Sequence, residues 1–227
     1  MNYGIPQSSN VIINAPTTVQ SAFVRKVYSL FFFSALVTVL VGAFCFQADV
    51  ASALLPLLPV LMIAEFVLII AMGFTRKATG LNIGLLYLFA ALNGAVMGPI
   101  LLRYNEMMPG LPFQAALLTL TIFGGLTLYV MQTGKDFSFL GGMLMVALIA
   151  LIVTGFVMMF FHVAALYLLY SFAGAVIFGG FVLYDTSNIM RRLGPGDEVA
   201  GAISLYLDLV NLFWYILQIL GIFSRRD

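Results

Sequence analysis

Asp208 lies inside the last apolar run of this 227-residue chain, and Asp185 closes the run before it. A carboxylate near the centre of a bilayer costs roughly 2.5–3.5 kcal/mol even on the lenient insertion scale, so it is seldom kept there without a role. Glu65, inside the second run, is a third such group. Asp208 falls about eight residues, ~12 Å, into the last run from the end at which Asp185 closes its own. Antiparallel packing of these two helices can therefore bring the aspartates together. Two carboxylates in a low-dielectric site cannot both ionise cheaply, so they tend to share a proton, and such a pair senses pH. Deprotonated, Asp185 and Asp208 offer oxygen ligands to a hard cation such as Ca²⁺ in transit. Spacing alone leaves open whether they meet.

Arg76 follows Glu65 by eleven residues, about three helical turns and roughly 20° from alignment. Both belong to one stripe of the second run, with Glu65 near mid-depth and Arg76 at the end shared with Asp185. Arg76 is either an orienting interfacial charge or a long cation that reaches inward to a carboxylate, and the sequence favours neither. On the last run Gly201, Ser204, Asp208, Asn211, Tyr215 and Gln218 recur at spacings of 3, 4, 3, 4 and 3, which sets them on one helical face. A polar stripe on a membrane helix faces a polar interior or a water path. Asn211, Tyr215 and Gln218 serve equally well as a seam between helices. His162 is expected in a turn at the surface.

The elements that position these groups follow from composition. The chain is 63% hydrophobic and 8% charged, beyond any ordinary soluble domain. Seven apolar spans are expected at about 27–46, 53–74, 81–102, 113–133, 139–161, 163–184 and 200–222, each near the ~20 residues a helix needs to cross the hydrocarbon. The chain is therefore expected to be all-α and polytopic, its domain covering residues 25–227 after a flexible, uncharged cytoplasmic tail of residues 1–24. Arg25, Lys26, Arg76, Lys77, Lys135, Arg191 and Arg192 fall on one side, against Arg103, Arg225 and Arg226 on the other. That bias puts the N-terminus in the cytoplasm and, after seven spans, the C-terminus outside. Gly80/Gly84, Gly94/Gly98 and Ser171/Ala175/Gly179 are small residues at four-residue spacing, which allow close helix packing.

Several chemistries are set aside. A net charge of +1 does not suit a nucleic-acid partner. A single cysteine, Cys45, permits no internal disulfide, and a single histidine does not suit a histidine-built metal site. No cofactor is expected. A retinal protein needs a Schiff-base lysine within the bundle, and no lysine follows Lys135. An intramembrane aspartyl protease is the nearest enzymatic rival, through Tyr184-Asp185 and a second aspartate on the next helix. That class surrounds its second aspartate with glycine, whereas Leu205-Tyr206-Leu207 precede Asp208. An enzyme is not expected.

Four segments carry a resemblance: Gly94–Leu101, Lys135–Leu144, Leu183–Asn188 (Leu-Tyr-Asp-Thr-Ser-Asn) and Ser204–Phe213. Together and in order they resemble the Bax inhibitor-1 family, also called the transmembrane BAX inhibitor motif family, from about residue 20 to the C-terminus. The Lys135–Leu144 run and the Ser-Arg-Arg-Asp ending are most similar to its short bacterial inner-membrane members. The resemblance implies seven helices with the last one central. It also implies a paired-aspartate pH sensor, matching Asp185 and Asp208, that gates a Ca²⁺ leak. Arg76 matches an arginine that exchanges partners with the first aspartate, and Glu65 matches a glutamate along the pore. Ser204, Asn211, Tyr215 and Gln218 would line the same path. The expected function is a pH-sensitive calcium leak in a bacterial inner membrane. The alternative is a non-transporting modulator of a membrane-anchored ATP-dependent protease, which would grip the N-terminal tail.

Overall fold

The computed structural model describes residues 11–74, 79–158, 160 and 164–224, and among them it is helical with no strand. Seven of its helices are long and apolar enough to cross a membrane. The first is α1, Thr17–Cys45. The second span is broken into α2, Ala48–Leu54, a 3₁₀ turn at Leu55–Leu57, and α3, Leu58–Phe74. Pro56 lies within that break and Pro59 just after it in the first turn of α3, and neither has an N–H for the helical ladder. Next come α4, Thr79–Met107, with Pro99 inside it, and α5, Leu111–Thr133. Left-handed glycines flank α5, Gly110 with φ 85° and Gly134 with φ 58°. After a 3₁₀ turn at Ser138–Leu140 follow α6, Gly141–Met158, α7, Ala164–Arg191, and α8, Glu198–Phe223.

Helix α1 corrects the expected boundary of the N-terminal tail. It starts at Thr17 instead of residue 27, so part of the expected tail of residues 1–24 is helical. Pro16 stands at the N-cap in an extended conformation, φ −56° and ψ 147°, and the uncharged residues after it are compatible with a helix. Ahead of it Ile12 is fully buried and donates its backbone N–H to Leu193 O at 2.9 Å. The Gln20 amide donates to Ala15 O at 2.9 Å and to Ile13 O at 3.2 Å. Residues 1–10 lie outside the described residues. Ile12→Ala is expected to cost about 2–5 kcal/mol, the usual range for emptying a buried isoleucine site. A thermal unfolding midpoint unchanged from wild type would show that this docking contributes nothing.

The chain divides into two compact units. One comprises Met1–Pro109 and Leu193–Tyr206, the other Gly110–Arg192 and Leu207–Asp227, so α8 gives its first turns to one and the rest to the other. In the first unit α1, α2 and α3 all pack on α4. The buried face of α1 runs Phe23, Val27, Leu30, Ser34, Thr38 and Cys45, a three-to-four-residue rhythm whose small members admit α4. A Cβ on Gly94 would stand 2.6 Å from Thr38 O, and one on Gly98 would stand 2.8 Å from the Cys45 carbonyl carbon. These two glycines therefore set the α1–α4 approach, as their spacing leads one to expect. Gly80 and Gly84, at the same spacing on the same helix, face open space instead. Tyr206, fully buried, places its hydroxyl 2.6 Å from Thr38 Oγ1, which also donates to Ala90 O at 2.9 Å.

In the second unit α5 and α6 pack against α7. Ser171 is buried, and Gly179 lies near Leu126 at 3.6 Å for an added Cβ. Gly174 faces the Tyr215 ring directly, and Gly180 faces Leu144. Large apolar side chains such as Phe32, Phe66, Phe113, Val146 and Val176 stay exposed on the helices. Such an exterior is stable only where lipid covers it.

Candidate functional site

The loop between α7 and α8 is short, residues 192–197, and turns through Gly194, Pro195 and Gly196. Gly196 takes a positive φ of 106°, open to glycine at little cost. The hairpin places Asp185 of α7 and Asp208 of α8 within hydrogen-bonding reach of each other. Both belong to the second unit. Asp185 also reaches Asn188, one turn further along its own helix. Asp208 is 4% exposed, and its Oδ2 is buried with no hydrogen-bond partner. Asn188 Oδ1 and Thr186 Oγ1, on the helix that carries Asp185, are likewise buried and unpartnered.

Two carboxyl groups hydrogen-bond to each other only if one of them carries a proton. An ionised, unpartnered oxygen at this burial would cost several kcal/mol. A shared proton removes one of the two charges and supplies the bond between the groups. Two carboxylates offer four oxygens, fewer than the roughly six to eight that Ca²⁺ takes. Among the described residues no three His, Cys, Asp or Glu side chains gather into a metal site. The pair alone does not complete the shell of such an ion.

Glu65 of α3 accepts a hydrogen bond from Asn93 Nδ2 of α4 at 2.9 Å, within the first unit. Asn93 is 7% exposed, and its Oδ1 has no partner. The asparagine satisfies one oxygen of a carboxylate that would otherwise stand alone in the span. Neither Asn93 nor the buried Thr38–Tyr206 contact is marked by a motif in the sequence. The available signal was a polar residue interrupting an apolar run. Arg76, Arg225, Arg226 and His162 lie outside the described residues.

The polar stripe on α8 is present, but its members differ in what they do. Gly201 is buried and Ser204 half-buried. Asn211 donates to its own Leu207 O at 2.8 Å. Tyr215 stacks on Phe178 with ring centroids 5.7 Å apart, and its hydroxyl lies 3.3 Å from Tyr170 Oη. Gln218 accepts from Ser171 Oγ at 3.1 Å. These are the contacts of helix packing, and Asp208 is the member of the stripe left with an unpartnered oxygen.

Comparison with known proteins places the chain in a family. The family model described as inhibitor of apoptosis-promoting Bax1 matches residues 20–225. The chain belongs to the Bax inhibitor-1 family. It is 31% identical to mouse protein lifeguard 4, over 99% of this chain and 93% of that protein. It is 32% identical to Bax inhibitor 1 of Schizosaccharomyces pombe, over 100% and 86%. A bacterial relative, an uncharacterized protein of Campylobacter jejuni, is 32% identical over 94% of each chain. Like these Bax inhibitor-1 relatives in length, the chain is a multi-pass membrane protein.

Proposed function

We propose that the chain is a pH-sensitive cation leak, for Ca²⁺ in particular, gated by Asp185 and Asp208. The observation that carries this reading is the meeting of the two carboxyl groups, buried, on adjacent membrane helices. At low pH the protonated pair ties α7 to α8 and the route is shut. Loss of the proton leaves two like charges at close range, which repel strongly where water is scarce. The repulsion separates the helices and frees Asp185 to pair with a cation, the part that the family resemblance gives to Arg76. Glu65, held by Asn93, supplies a further negative site along the ion's route. The role is transport and not catalysis, with the N-terminus and the gated end in the cytoplasm.

Ca²⁺ entry into proteoliposomes holding the purified protein, measured between about pH 5 and pH 8, tests this reading. Flux that rises with pH supports it. Flux no greater than in empty liposomes at every pH overturns it and favours a modulator of another membrane protein.

Glu65→Gln keeps an acceptor for the Asn93 amide and removes the charge. It is expected to leave the unfolding midpoint unchanged and to lower Ca²⁺ flux about tenfold, the effect of losing ~1.4 kcal/mol of attraction. Full flux in this variant would take Glu65 off the route.

A further inference from the structure

We infer that the turn after α5, residues 134–138, together with Arg192, holds the headgroup of an anionic phospholipid. This end of the second unit gathers Lys135, Arg191 and Arg192 against one carboxylate, Asp136. Among the described residues none of the three cations makes an ion pair within 4.0 Å; those that form are Lys26–Glu198 and Arg103–Glu106. Each cation is instead oriented by a neutral acceptor. Arg191 donates to Gly134 O and so caps α5, and Arg192 donates to Ser138 Oγ. Lys135 Nζ donates to Tyr129 Oη at 2.9 Å and sits 5.4 Å from the centre of that ring. An ammonium has three donors and a guanidinium five, so Lys135 and Arg192 keep donors for a phosphodiester.

The turn itself is built. The Phe137 N–H donates to Ser187 Oγ at 3.0 Å, and the Ser138 N–H donates to Asp136 Oδ1 at 2.9 Å. That second bond holds the Asp136 carboxyl below the usual carboxylate range, so Asp136 stays charged and committed to the turn. The cations outnumber it.

What lies beside the cations selects a lipid over a free phosphate. Tyr129, Phe137 and Phe139 form a row with ring centroids 6.1 and 6.3 Å apart. Phe139 is 74% exposed, and Met143 and Val146 continue the same exposed face down α6 at 63% and 69%. The charges sit where three spans end or begin, at headgroup depth, and the apolar strip runs from them into the hydrocarbon. Aromatic rings with cations at that depth are an interfacial anchor, and a basic pocket between membrane helices takes anionic headgroups.

Native mass spectrometry of the full chain, offered equal amounts of phosphatidylglycerol and phosphatidylcholine in detergent, tests the site. Each interfacial cation is worth about fivefold in preference for the anionic lipid, so Lys135→Gln with Arg192→Gln should lower the preference about 25-fold. Asp136→Asn keeps the acceptor for the Ser138 N–H and removes the opposing charge, and should raise the preference about fivefold. It remains a test if the double variant fails to fold. Equal retention of the two lipids by wild type, or a preference that Asp136→Asn leaves unchanged or lowers, would overturn the assignment. So would displacement of the lipid by equimolar glycerol 3-phosphate, which would make the site one for free phosphate.

Discussion

Asp208→Asn is expected to abolish the pH dependence of Ca²⁺ flux and leave the protein shut. The amide is close in size and shape to a protonated carboxyl, and it can donate to an Asp185 oxygen whether that group is ionised or protonated. The contact that a proton makes conditional in wild type becomes permanent. Coupling between a proton and a gate is typically worth about 1–3 kcal/mol, which is about 5–150-fold in flux across the titration. In the variant that ratio should fall below about twofold, at the acid-side rate. Flux in reconstituted vesicles at matched protein density reads this directly. A variant that keeps the wild-type profile would remove Asp208 from the sensor.

The second large effect falls on the α1–α4 contact of the first unit. A methyl group added at Gly98 would meet Cys45 Cβ at 2.5 Å and Gly42 O at 2.9 Å, and one added at Gly94 would meet Gly42 N at 3.0 Å and Thr38 O at 2.6 Å. Most of these atoms are backbone, which cannot swing aside, so α1 and α4 must part. Within a bilayer close van der Waals contact is a main force holding helices together, and small residues make it available. Gly98→Ala and Gly94→Ala are each expected to destabilise by about 1–3 kcal/mol. Gly84→Ala is the control, because its added methyl enters open space, and it should be neutral or stabilising by up to about 1 kcal/mol. Unfolding midpoints of the three variants decide the matter. Equal losses at Gly84 and Gly98 would contradict the packing described.

The seven spans are legible in the sequence because the hydrocarbon imposes a length on every helix, and composition alone reveals it. The early start of α1 is not, because the continuous apolar run fades where lipid ends while the helix continues through Thr17–Val24 on a mixture of uncharged polar and apolar residues. Depth and an antiparallel hairpin make a meeting of Asp185 with Asp208 possible, but spacing leaves it open, because the rotation of each helix about its axis is set by packing and not by sequence separation. Gly94 and Gly98 pack against α1 while Gly80 and Gly84 do not. Spacing names a stripe, but not the stripe that finds a neighbour. The same limit hides the role of Asn93 beside Glu65 and divides the α8 stripe. Asn211, Tyr215 and Gln218 find their partners in the helix itself or in α7, and Asp208 finds the other acid.

One proton, shared by Asp185 and Asp208, is proposed to control passage of the ion. Infrared difference spectroscopy of the reconstituted protein follows the carbonyl stretch of a protonated carboxyl as pH is raised, alongside Ca²⁺ flux in the same vesicles. The protonated-carboxyl band is expected to fade over the pH interval in which flux rises, and the corresponding change should be absent from Asp208→Asn. A band that persists in Asp208→Asn, or that fades in an interval where flux does not change, would contradict the proposal.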